Sequence, residues 1–256
     1  MSNIYKAFEN KKAFIAFLTA GDPDFETSLE CFRAVVRGGA DLIEVGIPFS
    51  DPIAEGPVIQ EADIRALSSG MTTDKVFDLV KELRKETDIP IVFMSYINPI
   101  FHYGADKFFK KAAEAGADGA IVPDMPYEEK GELLETAEKY GLDIISMIAP
   151  TSDQRIKMIA EEAKGFIYVV SSLGVTGVRS EINTDIGSMV KVIKENTDVP
   201  AAIGFGISTP EQAKKMAGVA DGVIVGSAMV KIVAAEGKNA PEKLFEYVKS
   251  MKEAII

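Results

Sequence analysis

The sequence predicts an α/β protein of the (β/α)8 or TIM-barrel class with extra short helices, in a single domain over residues 1–256. Eight apolar segments, each followed by a segment with helical spacing, succeed one another along the chain, as such a barrel requires. The apolar segments are continuous rather than alternating, which is typical of parallel strands covered on both faces. No linker separates two halves. An open doubly wound sheet is the alternative, but it normally uses fewer strands for this length.

The elements follow one another in a regular order. The predicted strands are 13–19, 41–46, 90–95, 119–123, 143–148, 166–170, 201–204 and 222–226. Helical spacing predicts helices near 25–38, 58–68, 73–86, 105–115, 127–140, 152–163, 184–196, 209–217, 227–234 and 240–253, with a short leading helix within 2–10. A Gly-Ala-Asp turn precedes the second and fourth strands, and residues 219–221 imitate it before the eighth. The longest loops after strands follow the second and sixth, so we expect the specific chemistry there.

Composition excludes several classes of function. The net charge of −11 argues against nucleic acid or an anionic membrane as the main partner. One cysteine, Cys31, rules out a disulfide within the chain and suits a reducing compartment. The sequence shows neither a signal-peptide core nor an apolar run of about 20 residues, so we expect a soluble, cytoplasmic protein. One histidine, His102, argues against a histidine-rich metal site and Ser-His-Asp hydrolysis, and no metal is expected.

Glycine-rich segments follow the last three predicted strands, at 174–177, 204–208 and 226–228. Glycines let backbone N–H groups approach an oxyanion closely, and a helix N-terminus adds the positive end of a dipole. Loops seven and eight of barrels are a frequent phosphate site. Three such segments on neighbouring loops predict phosphate binding, although any one of them alone would be an ordinary turn.

Two glutamates stand out around the second strand. Glu44 lies at the strand's carboxyl end, where a charge is costly unless it is hydrogen-bonded or functional. Desolvation would raise its pKa and let it act as an acid at neutral pH. Glu55 follows in the long loop. The alternatives are a structural glutamate at 44 and a solvated loop charge at 55, and Asp51 is typical of a turn or contact residue.

Large side chains near other strand ends could line a pocket for a flat substrate, or simply pack in the core. They are Phe17, Tyr96, Ile121, Tyr168 and Ile224.

These segments together resemble the tryptophan synthase alpha chain family. Residues 44–52 with Gly56 and Pro57 match its signature, and 17–23, 174–177, 204–208 and 226–228 match its other landmarks in order. The resemblance implies a barrel that cleaves indole-3-glycerol phosphate to indole and glyceraldehyde 3-phosphate, a retro-aldol step of tryptophan biosynthesis. It also implies no cofactor on this chain. The implied partner is a beta chain, in an alpha2beta2-type complex, that joins indole to serine with pyridoxal phosphate.

The resemblance also implies roles by position. Glu44 matches the general acid/base, and Glu55 matches a catalytic position that is usually aspartate, one methylene or about 1.5 Å shorter. Tyr168 matches a pocket tyrosine, and Thr176 a residue that helps loop two close. The matched phosphate positions are Gly177, Gly206, Gly226 and Ser227, and the beta-chain contacts are Asp51, Asn98, Phe101 and Pro126. Residues 171–173 lack an arginine often found there in relatives.

Two other functions stay open from the sequence. One is a phosphosugar isomerase-type barrel, against which the 44–52 signature weighs. The other is an alpha subunit that mainly activates its partner, with catalysis attenuated by Glu55.

Overall fold

A computed structural model describes residues 2–170, 186–204 and 206–256 of the chain, and the predicted barrel is confirmed. Within these ranges nine parallel strands form one sheet in the order β5-β4-β3-β2-β1-β9-β8-β7-β6. The strands are β1 Ala13–Thr19, β2 Leu42–Gly46, β3 Ile91–Met94, β4 Gly119–Ile121, β5 Asp143–Ile144, β6 Ser146–Ile148, β7 Ile167–Val170, β8 Ala201–Gly204 and β9 Gly222–Val225.

The fifth predicted strand closes the ring. It is interrupted at Ile145, so that 143–148 becomes two short strands rather than the single strand expected. β5 pairs with β4, and β6 pairs with β7 at the other end of the sheet. The Ile145 N–H still donates to the Ala120 carbonyl, at 2.9 Å. Because one continuous stretch of chain pairs with both ends of the sheet, the nine strands form a barrel of eight units.

Helices surround the barrel. They are α1 Phe25–Gly38, α2 Pro57–Ser68, α3 Thr73–Arg84, α4 Ile97–Tyr103, α5 Ala105–Ala115, α6 Gly131–Lys139, α7 Asp153–Glu161, α8 Ile186–Asn196, α9 Pro210–Ala217, α10 Ser227–Glu236 and α11 Ala240–Glu253. The sequence did not predict α4. The leading helix expected within 2–10 is a single 3-10 turn, Ile4–Ala7, and the helix expected from 127 begins with a separate 3-10 turn, Tyr127–Glu129. No helix in the described part of the chain is long and apolar enough to cross a bilayer.

Alternation along the strands separates two apolar layers. In β2, Ile43 and Val45 pack in the outer layer between sheet and helices, whereas Leu42 packs inside the barrel. Side chains two residues apart on a strand share a face. Glu44 therefore faces the barrel interior, at the carboxyl end of β2.

Aspartates of the two Gly-Ala-Asp turns, and of the similar turn at 219–221, tie neighbouring strands together at the amino-terminal end of the barrel. Asp41 accepts a hydrogen bond from the Phe14 N–H at 2.8 Å and pairs with Lys11 and Lys252 at 2.7 and 2.6 Å. Two others repeat the arrangement, with Asp118 bound to the Ile91 N–H and Arg84, and Asp221 bound to the Ala201 N–H and Lys194. These contacts lie opposite the face where a barrel carries its chemistry, so we interpret them as stabilising.

Candidate active site

A cavity of about 620 Å3 lies where the loops leave the carboxyl ends of the strands. A cavity of this size, mostly apolar with a few polar groups, is typical of a small-molecule site. Its lining brings together nine of the residues singled out from the sequence, namely Phe17, Glu44, Glu55, Pro126, Tyr168, Gly206, Ile224, Gly226 and Ser227. Residues far apart in the chain, from β1 to α10, therefore face one space.

Glu44 is the most deeply buried acid of the cavity. Its side chain has no exposed surface, and neither carboxyl oxygen has a hydrogen-bond partner within the described ranges. Burial raises the pKa of Glu44 to about 8, and the nearby charge of Glu55 contributes in the same direction. The carboxyl is thus protonated at neutral pH, as a general acid must be.

The loop between β2 and α2 brings Glu55 over the same space. Glu55 is only 6% exposed, so it is not the solvated loop charge considered as an alternative. Its N–H donates to the Pro52 carbonyl at 3.1 Å, and its own carbonyl accepts from Gln60 Nε2 at 2.7 Å. Pro57 then occupies the first turn of α2, where its missing N–H costs nothing. The backbone on both sides of the acid is therefore held in place.

Glycines allow two of the aromatic rings of the cavity, those of Phe17 and Tyr168, to lie against the barrel wall. A Cβ on Gly46 would lie 2.8 Å from the Phe17 ring, and one on Gly204 would lie 2.5 Å from Tyr168 Oη. Both distances are too short for real contacts. Burial, followed by the negative charges of Glu44 and Glu55, raises the pKa of Tyr168 well above its ordinary value. Tyr168 is therefore a neutral phenol beside both acids.

The other end of the cavity carries backbone amides. Gly206 has a φ of +81°, in the left-handed region that favours glycine. Gly226 is the N-cap of α10, and no described side chain caps that helix. The helix dipole and the N–H groups at a helix N-terminus favour an anion. The predicted residues Thr176 and Gly177, like segment 171–173, lie outside the described residues, as does Phe205.

Asp63 is a buried acid that the sequence motifs did not single out. It lies on α2, is 5% exposed, and shares the buried face of that helix with Ile59, Ala62 and Ala66. Burial raises the pKa of Asp63 to about 8, and the negative charge of Glu55 acts in the same direction. A hydrogen bond from the Phe49 N–H has the opposite, smaller effect. An acid on the apolar face of a predicted helix was the available signal.

Two predicted pocket residues are buried outside the described lining of the cavity. Ile121 packs in the inner apolar layer, which also contains Tyr168 and Ile224. Tyr96 is 5% exposed, and its hydroxyl accepts the Ala54 N–H. Neither residue belongs to the described lining of the cavity.

The predicted partner residues are exposed at the same end of the barrel, and one of them, Pro126, also lines the cavity. Asp51, Asn98, Phe101 and Pro126 are all exposed, on segments that follow β2, β3 and β4. Two large apolar side chains are exposed on these segments, with Ile53 76% and Phe101 48% accessible. Such side chains are typical of a surface that a partner covers.

Across the described chain, no group of three or more His, Cys, Asp and Glu side chains could hold a metal ion.

Comparison with known proteins gives one consistent result. A family model described as the tryptophan synthase alpha chain matches residues 5–256. The chain is 52% identical over 255 residues to the tryptophan synthase alpha chain of Lacticaseibacillus casei, covering 100% of this chain and 96% of that protein. A solved structure from Aquifex aeolicus VF5 is 41% identical with a TM-score of 0.92, covering 100% and 99%. The crystal structure of tryptophan synthase subunit alpha from Legionella pneumophila str. Paris is 39% identical with a TM-score of 0.90, covering 100% and 98%.

Proposed function

Because this chain belongs to the tryptophan synthase alpha chain family, we propose that the cavity lined by Glu44 and Glu55 is where it cleaves its substrate. The chain is a carbon–carbon lyase of tryptophan biosynthesis, and its reaction converts indole-3-glycerol phosphate to indole and glyceraldehyde 3-phosphate. The full-length match does not favour an isomerase-type barrel or a merely activating subunit. The observation that carries the assignment is the buried carboxyl of Glu44, without a described hydrogen-bond partner.

The reaction needs one proton delivered and one removed. Breaking the bond between indole C3 and the side chain would leave a carbanion at C3. Protonation of C3 first gives an indolenine, which accepts the bonding electrons instead. The adjacent side-chain hydroxyl loses its proton as its carbon becomes the aldehyde. We assign both transfers to Glu44, because it starts protonated, becomes a carboxylate on giving its proton to C3, and regains a proton from the hydroxyl.

Glu55 has a different task in this proposal. Positive charge grows on the indole ring as C3 is protonated, and the ring N–H becomes a stronger hydrogen-bond donor. A carboxylate that accepts this N–H stabilises the charge in a site shielded from water. Glu55 is buried and faces the same cavity as Glu44, which supports the assignment.

The remaining lining residues fit the two ends of the substrate. We assign Phe17, Tyr168 and Ile224 to contacts with the flat ring, and Gly206, Gly226 and Ser227 to the phosphate. Amide dipoles at the start of α10 explain how a chain with a net charge of −11 can bind an anion. Thr176 and Gly177 stay predictions from the family resemblance.

The chain works with a tryptophan synthase beta chain. We propose that Asp51, Asn98, Phe101 and Pro126 contact this partner, since they are exposed around the cavity end of the barrel. We also propose that this chain needs no organic cofactor, that pyridoxal phosphate serves only the beta chain, and that both act in the cytoplasm. Protonation by a carboxyl group is sufficient for the bond cleavage, which supports the first of these points.

The test is the Glu44→Gln variant, assayed for indole release from indole-3-glycerol phosphate with and without the beta chain. We expect kcat to fall by about 10²- to 10⁴-fold, the usual contribution of a general acid or base. The exposed Glu236→Gln is the matched control and should keep the parent rate. Full activity in Glu44→Gln would refute the assignment. Single-turnover cleavage by the isolated parent chain excludes a purely activating role.

A further inference from the structure

The hydroxyl of Tyr96 holds the loop that carries Glu55. Tyr96 follows β3 and is the N-cap residue of α4. Its Oη accepts the N–H of Ala54 at 2.8 Å, and Ala54 is the residue directly before Glu55. The side chain is only 5% exposed and lies outside the described cavity lining. Its polar contact is therefore with the loop backbone rather than with the space that the substrate would fill.

The Tyr96 ring also contacts the start of that loop. The rings of Phe49 and Tyr96 have centroids 5.6 Å apart with a 36° tilt. One side chain thus contacts the loop at 49 and again at 54. Gln60 holds the carbonyl of Glu55 from the α2 side. The Ala54 N–H and the Glu55 carbonyl, on either side of the Glu55 Cα, are both anchored, and the Glu55 N–H between them donates to the Pro52 carbonyl at 3.1 Å. This leaves mainly the side-chain torsions to place the carboxyl group.

The surroundings of Tyr96 keep its hydroxyl in the form that this contact needs. Burial raises the pKa of Tyr96 above its ordinary value, and negative charges at Glu55, Asp124 and Asp63 act in the same direction. The phenol stays protonated at every pH where the enzyme would work. It accepts the Ala54 N–H through a lone pair and keeps an O–H that can donate toward the acids around it.

We propose that Tyr96 is a positioning residue for the cleavage reaction, which fixes Glu55 through the Ala54 amide instead of contacting the substrate. This proposal rests on the assignment of Glu55 to the indole N–H. Its physical basis is that displacing a catalytic group by about 1 Å can lower the reaction rate about 100-fold. It also explains why a tyrosine is needed at a site that the substrate does not fill, since phenylalanine would keep the ring contact and lose the acceptor.

The first test is Tyr96→Phe in the full chain with its beta chain. We expect kcat to fall roughly 10- to 100-fold while KM changes less than about threefold, because ring and phosphate contacts lie elsewhere. The Ala54 amide should exchange with solvent about tenfold faster by NMR, because it loses its acceptor. Tyr103→Phe is the matched control. It also removes a tyrosine hydroxyl at α4, but that hydroxyl donates to Asp74 at the surface. It should change neither readout.

The second test separates a positioning role from a substrate contact. In a Glu55→Gln background, Tyr96→Phe should cost less than about threefold further, because residues that act as a unit are not additive. A full additional loss there, a rise in KM at constant kcat, or unchanged exchange at Ala54 would overturn the proposal for Tyr96 while leaving Glu55 in the mechanism. Full activity of Glu55→Gln alone would instead remove Glu55 from the reaction, and the proposal with it.

Discussion

Replacing Glu44 by glutamine should change how the stability of the protein depends on pH. Burial raises the pKa of Glu44 from an ordinary value of 4.5 to about 8 in the folded state, a difference of about 3.5 pH units. Each unit corresponds to about 1.4 kcal/mol. Ionisation of Glu44 should therefore lower the free energy of unfolding by about 5 kcal/mol in total as the pH rises from about 4.5 to about 8.

The sign follows from the proton bound in each state. Below pH 4.5 the carboxyl is protonated in folded and unfolded chains, and its contribution is constant. Between 4.5 and 8 the folded chain keeps a proton that the unfolded chain releases, so rising pH favours unfolding. Above 8 both states are ionised and the effect levels off. Glu44→Gln lacks this titration, so its stability relative to the parent chain should rise across the same window.

Urea unfolding followed by far-ultraviolet circular dichroism at pH 5, 6, 7, 8 and 9 measures this difference. The exposed Glu236→Gln should run parallel to the parent chain, since it removes a carboxyl that stays in water. Parallel curves for Glu44→Gln and the parent from pH 5 to 8 would show that Glu44 holds no extra proton, and the reasoning would fail.

Three further changes have defined outcomes. Glu55→Asp should keep or raise the rate of indole release because it restores the family's usual residue, whereas Glu55→Ala should abolish release; an unchanged rate in the Ala variant removes Glu55 from the mechanism. Asp41→Asn should lower the free energy of unfolding by about 1–3 kcal/mol without changing kcat, because it loses charge-assisted contacts far from the cavity; an unaltered urea midpoint contradicts this. Gly204→Ala should displace Tyr168 and lower both stability, by about 1–3 kcal/mol, and kcat/KM, whereas Gly131→Ala, with open space around its Cβ, is the control. Equal behaviour of the two alanine variants would contradict the packing argument.

The sequence was sufficient for features that depend on local pattern. Continuous apolar runs placed the strands, and a costly charge at the carboxyl end of the second strand singled out Glu44. Two departures have local causes. α4 spans only seven residues and contains Pro99, so it shows too little periodicity to be predicted. The interruption at Ile145 depends on pairing with β4 on one side and β7 on the other, which are not neighbours in the sequence.

The roles of Asp63 and Tyr96 depended on contacts between distant segments. In the sequence, Asp63 is one of several charged residues on α2. Its interaction with the charge of Glu55 appears only in the folded chain. Tyr96 follows a predicted strand and could equally line a pocket; the partner of its hydroxyl is an amide 42 residues earlier. Periodicity fixes which face a side chain occupies, but it does not identify the atom that the side chain will meet.

A crystal structure of the chain with its beta chain and a non-cleavable analogue of indole-3-glycerol phosphate would show how the two acids meet the substrate. We expect a Glu44 carboxyl oxygen within about 3.5 Å of indole C3 and a Glu55 oxygen about 3 Å from the ring nitrogen. The phosphate should lie against the amides of Gly206 and Gly226. A ring bound with C3 beyond reach of Glu44, or a phosphate bound away from those glycines, would contradict the proposed mechanism.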